Sequence, residues 1–305
     1  MRRYAAALCG LILCGFWAGP VSDSGTEPSV GELIEGGRLD DLRQRIENGM
    51  PPEALLMAAV RRDSAEALRL AFESGADPRG VRASRALLRA RRHELGRAAD
   101  TLTRAGVDLD GRDKLGRTLL ILALQDGDAS RVRTLIEEGA DLDARSNVGV
   151  TALMEAVVAE RLRNLKALVE AGAEVDAVDR DGWTALQWAV RQDNVEAARF
   201  LLLRGADPNH VDRLGWTPLL LAAADGKATL AYELLKRGAL PRLDTPTVGS
   251  PLVRAVHGGS ADVVRLLLAF GADRRAVFAG RTALEWAWTL KRNDLAGLLA
   301  ARRHR

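Results

Sequence analysis

Four histidines and two cysteines are the residues of this 305-residue chain best suited to general-base, nucleophilic or soft-metal chemistry, and their spacing defeats it. His93, His210, His257 and His304 are scattered along the sequence. His93-Glu94 has no second His four residues on, so the paired-imidazole zinc pattern is missing. His210 stands in a polar connector with Asp207 and Asp212. Cys9 and Cys14 both fall in an apolar run near the start, and residues 15–305 contain no cysteine. That removes a disulfide framework, a thiolate nucleophile and a Cys-based zinc site from the body of the protein. No Gly-x-Ser-x-Gly elbow, phosphate loop or dinucleotide fingerprint occurs either. The expectation is a non-catalytic protein with no cofactor, metal or small-molecule substrate.

Tryptophan is the other residue type that asks for an explanation. Aromatic residues make up only 4% of the chain, yet three of the five Trp beyond residue 25 are Trp183, Trp188 and Trp216. An exposed cluster of indoles is a common hot spot of protein docking. What positions them is a repeat. Gly139-Ala140-Asp141, Gly172-Ala173-Glu174, Gly205-Ala206-Asp207, Gly238-Ala239-Leu240 and Gly271-Ala272-Asp273 follow one another at intervals of 33 residues. Thr151, Thr184, Thr217 and Ser250 each come twelve residues after such a glycine, and Thr282 comes eleven after Gly271. A period of this length means supersecondary units stacked in a line.

Within one unit, Asp181 to Arg213, the residues dictate two short helices. Gly182 suits a tight turn. Thr184 caps a first helix over Ala185 to about Arg191. A second, from about Val195 to Leu203, carries Leu201 and Leu202 toward the first and ends at Gly205. The pattern Gly-x-Thr-Ala/Pro-Leu, then Ala-Ala or Ala-Val, then Leu-Leu/Val-x-x-Gly-Ala-Asp resembles the ankyrin repeat, best from Gly116 to Asp273. The histidine of that family's Thr-Pro-Leu-His is replaced by Ile121, Met154, Gln187, Leu220, Val253 and Glu285, which puts its hydrogen bonding in doubt but not the fold.

The resemblance implies an all-α solenoid of stacked helix-turn-helix units with short hairpin-like fingers. Divergent repeats are expected over 26–113, well-matched ones over 114–280, and a capping repeat with a basic tail over 281–305, eight or nine units in all. The pairs expected upstream are Leu33 to Asn48, Glu53 to Ser74 and Ser84 to Arg104. Down the stack, one buried row reads Leu124, Val157, Val190, Ala223, Val256 and Trp288, so Trp288 should lie over the open end.

In such a stack the fingers and first helices present two further rows on a concave side, normally exposed. The residue before Thr or Ser reads Arg117, Val150, Trp183, Trp216, Gly249 and Arg281. The one four after it reads Leu122, Glu155, Trp188, Leu221, Arg254 and Trp286. Trp183, Trp188, Trp216 and Leu221 are therefore expected to form one apolar docking patch, with Arg117, Arg254 and Arg281 as a charged rim. The alternative is that each indole lies across its neighbour's finger and stiffens the stack. Arg79, Arg82, Arg85, Arg89, Arg91, Arg92 and Arg97 form a basic stretch in which only Glu94 opposes, read as a solvated helix face, with a site for an acidic protein or phosphate as the alternative. Without interleaved aromatics it is no nucleic-acid site.

The first 25 residues read as a secretory signal peptide or retained membrane anchor. Arg2 and Arg3 precede an uncharged run from Tyr4 to Ala18, too short for an ordinary membrane span and followed by Gly19, Pro20, Ser22, Ser24 and Gly25. A cut before Asp23 would lower the 44 basic residues to 42 against 41 acidic, a near-neutral chain with no general attraction to nucleic acid or anionic membrane. The expected location is periplasmic or secreted, or else anchored at the inner membrane through residues 4–18. The family resemblance then implies a binding scaffold for another protein in the cell envelope. Supporting or protecting a periplasmic enzyme is the first role it suggests. The alternatives are an immunity protein against an envelope-targeted toxin and a membrane-surface adaptor.

Overall fold

The computed structural model describes residues 28–300. The expected signal peptide or anchor, with Cys9 and Cys14, and the basic tail Arg302, Arg303, His304 and Arg305 lie outside them. Among the described residues no helix is long and apolar enough to cross a membrane.

Among the described residues nine helix pairs follow in chain order. The first three are α1 (Val30–Glu35) with α2 (Leu39–Glu47), α3 (Glu53–Arg61) with α4 (Ala65–Glu73), and α5 (Val81–Arg92) with α6 (Gly96–Arg104). Next come α7 (Leu119–Asp126) with α8 (Ala129–Glu137), α9 (Ala152–Val158) with α10 (Leu162–Glu170), and α11 (Ala185–Arg191) with α12 (Val195–Leu203). The last three are α13 (Pro218–Ala224) with α14 (Ala228–Lys236), α15 (Pro251–Gly258) with α16 (Ala261–Ala269), and α17 (Ala283–Thr289) with α18 (Asn293–Ala300). Among the described residues the sheet is confined to one two-stranded hairpin, β1 (Val277–Phe278) against β2 (Arg281–Thr282), antiparallel with Val277 opposite Thr282. The fold is the all-α repeat solenoid that the sequence indicates. The third pair starts at Val81 rather than Ser84.

Each boundary has a local cause. The hydroxyls of Thr118, Thr151, Thr184, Thr217, Ser250 and Thr282 each accept the amide three residues on, closing an orphan donor at a helix start. Pro218 and Pro251 occupy the first helical position, where no N–H is needed. The second helices end before glycines such as Gly205, whose φ of +90° lies in the left-handed region.

First helices pack on first helices of the neighbouring pairs, and second on second, so one apolar core of Leu, Val and Ala runs from Leu33 to Leu299. Register between pairs is set in the connectors. Asp110, Asp143, Asp176 and Asn209 accept the backbone N–H of Asp141, Glu174, Asp207 and Leu240 in the following repeat, at 2.8–3.1 Å. Only the backbone of the donating position enters this bond, so Leu240 keeps it while lacking the side-chain oxygen with which Asp141 and Asp207 accept the amide two residues on.

Fingers project from the connectors from residue 113 onward. Asp113, Ser146, Asp179 and Asp212 fold them. One side-chain oxygen of each accepts the amides two and four residues on, as Asp179 Oδ1 does from Asp181 and Trp183 at 2.9 Å. Successive fingers are tied together by Asn147 N–H to Leu115 O, Arg180 N–H to Val148 O and Arg213 N–H to Asp181 O, at 2.8–3.2 Å. Packing is tight enough that a Cβ on Gly149 would meet the Arg180 nitrogen at 2.6 Å. The first three pairs have no such finger. The cap at Gly80 comes only five positions after Gly75, whereas Thr118 comes twelve after Gly106.

Candidate protein interface

The two rows flanking each cap lie side by side along the fingers and first helices, and their side chains form a continuous series. At its upstream end Arg117 donates to Asp113 through Nε at 2.8 Å and to Gln125 at 2.8 Å. Beside it, Glu155 is only 5% exposed. Burial raises the Glu155 pKa above the ordinary carboxylate value, against the opposing effects of the Gln125 amide and the Arg117 charge.

Trp183 and Trp188 follow, with ring centroids 5.2 Å apart in a tilted stack. Trp188 donates its indole N–H to Asp179 Oδ2 at 3.0 Å, so the acid that folds the finger also fixes the ring. Gln187, one of the residues replacing the histidine, does two jobs. Its Oε1 accepts the Thr184 amide, and its Nε2 reaches the Trp216 carbonyl of the next finger at 3.0 Å. His210 Nε2 lies 2.8 Å from the Gly182 carbonyl, a brace between the connector and the preceding finger. Downstream, the Arg254 guanidinium is held between the rings of Trp216 (5.5 Å) and Phe278 (4.9 Å), while its Nε donates to Val248 O at 2.6 Å. Arg281 stacks on Trp286 at 5.2 Å and donates to Thr289 Oγ1. The Trp286 N–H goes to the Phe278 carbonyl, and His257 stacks on the same indole at 4.7 Å.

The expected patch is thus brought together, with corrections. Trp183, Trp188 and Trp216 are half-buried, packed on the core with part of each ring outside. Leu221 is buried, at 7% exposed, and so offers no docking area. It is the short residue of its row, between Trp188 and Arg254 on the adjoining first helices. Val150 and Glu155 are buried too, so the two rows are not uniformly open. Arg117, Arg254 and Arg281 are not a loose charged rim. Each is pinned to an acid, an aromatic ring or a carbonyl within the stack.

Sequence reasoning missed the finger tips. Leu115 (42%), Val148 (59%) and Leu214 (65%) stand exposed just before the finger glycines. Their signal was present as apolar residues at a turn position that water-facing chains fill with polar ones. The basic stretch is better paired than its own sequence indicates. Arg91 meets Glu138 at 3.2 Å and Arg97 meets Glu66 at 3.0 Å, both acids coming from neighbouring pairs. Trp288 is 58% exposed, although its row is fully buried in every interior repeat from Leu124 to Val256. It therefore lies on the free face of the last pair.

A family model for ankyrin repeats matches the chain in three copies, over residues 56–179, 165–246 and 219–304. The chain belongs to the ankyrin-repeat family. No curated protein is similar enough to it to match. Ankyrin repeats are protein–protein interaction scaffolds, and this one has a partly exposed row of indoles along its fingers. Neither Trp183 nor Trp216 uses its indole N–H within the stack, whereas Trp188 does. No group of three or more His, Cys, Asp or Glu side chains suited to a metal ion is found among the described residues.

Proposed function

We propose that this ankyrin stack is a non-catalytic docking scaffold of the cell envelope, where it supports or protects a periplasmic enzyme. The observation that carries the docking face is the half-buried pair Trp183 and Trp216. Their rings are fixed on hydrogen-bonded fingers, their indole N–H groups are unused within the stack, and the exposed Leu214 tip stands beside them. Indoles already ordered lose little side-chain freedom on binding, so most of their contact energy goes into affinity. The envelope location rests on the charge and apolar pattern of residues 2–18.

The test uses the full chain as bait. Proteins retained by the wild type and by Arg265→Ala, a change on the second-helix side, are lost by Trp183→Ala/Trp216→Ala, while far-ultraviolet circular dichroism stays the same. Equal retention by the double variant rejects this face. Fractionation of a C-terminally tagged chain tests the location, and recovery with the cytoplasmic fraction rejects it.

A further inference from the structure

Three fingers in the stack are folded by an aspartate, and they differ at one atom. In each, Oδ1 accepts the two finger amides, which leaves Oδ2 for another donor. Asp113 Oδ2 takes the Arg117 guanidinium, at 2.8 Å from Nε. Asp179 Oδ2 takes the Trp188 indole N–H at 3.0 Å. Asp212 Oδ2 takes nothing. It is buried and without a hydrogen-bond partner, on a residue only 5% exposed. The cause is legible in the row, because the position held by Trp188 in one repeat is held by Leu221 in the next, and leucine has no donor. Arg254 does not compensate, since it lies against Trp216 and Phe278 and makes no ion pair among the described residues.

A buried acceptor without a donor is costly, and for a carboxylate oxygen more so than for a neutral group. We propose that Asp212 Oδ2 is the acceptor for a planar N–H group of a docked partner, an indole side chain that enters over Leu221. The partner's ring would take the place that Trp188 fills internally one repeat earlier. Its face would rest against Trp216, and its N–H would complete the Asp212 carboxylate. Because Oδ2 is closed to solvent in the unbound stack, the ring enters only as neighbouring side chains move aside. The inference rests on the finger face being the docking surface and adds what that surface selects, namely a tryptophan-bearing segment of a protein.

The probes are three capped tripeptides, Ac-Gly-X-Gly-NH2, with X as tryptophan, 1-methyltryptophan or phenylalanine. They are titrated into the 15N-labelled full chain, with the amides of Leu214 and Trp216 as reporters because both bond to Asp212 Oδ1. The tryptophan peptide should shift these amides saturably and bind about tenfold or more tightly than the N-methylated one, the effect of a hydrogen bond to a charged acceptor. Asp212→Asn puts an NH2 where the acceptor was and keeps the finger-folding oxygen, so it should abolish the difference between the two peptides. Leu221→Trp supplies the donor from within and should abolish the response to the tryptophan peptide. Equal binding of tryptophan and 1-methyltryptophan peptides, a preference that survives Asp212→Asn, or no shift with any peptide overturns the inference. Equal binding that disappears in Trp183→Ala/Trp216→Ala removes the role of Asp212 and leaves the docking face standing.

Discussion

The three upstream pairs, over 30–104, and the six downstream pairs, over 119–300, share one core but not one edge. Both halves bury the same kind of Leu and Ala interior. Upstream the connectors are short, no finger forms, and the first-helix side of α5 carries arginines. Downstream the connectors lengthen and acids such as Asp179 fold them. Successive fingers from Leu115 to Arg213 are then bonded backbone to backbone. The contrast teaches that stacking and recognition are separable here. Helix pairs alone make a solenoid, whereas the finger supplies the backbone ladder on which indoles can be held half-exposed.

The comparison breaks most decisively at glycine. Gly149 has φ +83°, and a Cβ there would meet the next finger's backbone at 2.6 Å, whereas Gly75 has φ +101° with nothing within 4 Å. Both substitutions to Ala incur the left-handed penalty of about 1–2 kcal/mol, but only Gly149→Ala also separates two fingers. Urea titration should give about 3 kcal/mol or more for Gly149→Ala and about 1 kcal/mol for Gly75→Ala. Equal losses would mean that the ladder contributes nothing to stability.

Next in size is Trp188→Phe. It keeps the ring stack on Trp183 and removes the donor to Asp179, which is 6% exposed. Leaving that oxygen unpaired should cost about 1–3 kcal/mol. The repeat would then have the same orphan as Asp212, so Asp212→Asn should be neutral or stabilising in the same assay. A harmless Trp188→Phe would show that the indole bond is incidental.

The two halves were not equally legible. Helix pairs could be placed to within a few residues even upstream, because Thr, Ser and Gly mark helix ends through backbone needs that hold wherever a helix starts or stops. The fingers were expected as hairpin-like turns built on glycine, but what folds them was not read. The acids that fold them, Asp113, Asp179 and Asp212, look like ordinary polar loop residues until the two amides they accept are known. Leu221 misled because exposure along a row depends on the lengths of the flanking side chains, here Trp188 and Arg254, and not on its own type. The pairing of Arg91 on α5 and Arg97 on α6 was hidden for another reason, since their acids lie 47 and 31 residues away in sequence.

Acid should also separate the halves. His257 stacks on Trp286, and its pKa is lowered by burial first and then by the charges of Arg254 and Arg292. A depressed histidine leaves the folded state holding fewer protons than the unfolded chain. Stability from this group is complete above the unfolded value of 6.5 and is lost as pH falls through the lower folded value. Glu155, whose pKa is raised, acts in the opposite sense, gaining stability as pH falls toward 4.5. Melting temperatures of His257→Phe should therefore fall less than those of the wild type between pH 7 and the acid side of 6.5. A parallel fall in both would show that His257 does not carry the loss.

The smallest expected effect sharpens the contrast because it concerns function more than stability. The Arg97–Glu66 pair has both side chains more than half exposed, and the Arg91–Glu138 pair about a third. Pairs in such positions contribute about 0–1 kcal/mol, so Arg91→Glu/Arg97→Glu should shift the melting temperature only slightly. If recognition belongs to the fingers, this double reversal also leaves partner retention within about twofold of wild type, the size of a distant electrostatic effect screened by salt. A reversal that empties the bait while Trp183→Ala/Trp216→Ala does not would move the docking face to the fingerless half. The indoles would then be packing elements that hold the ladder together.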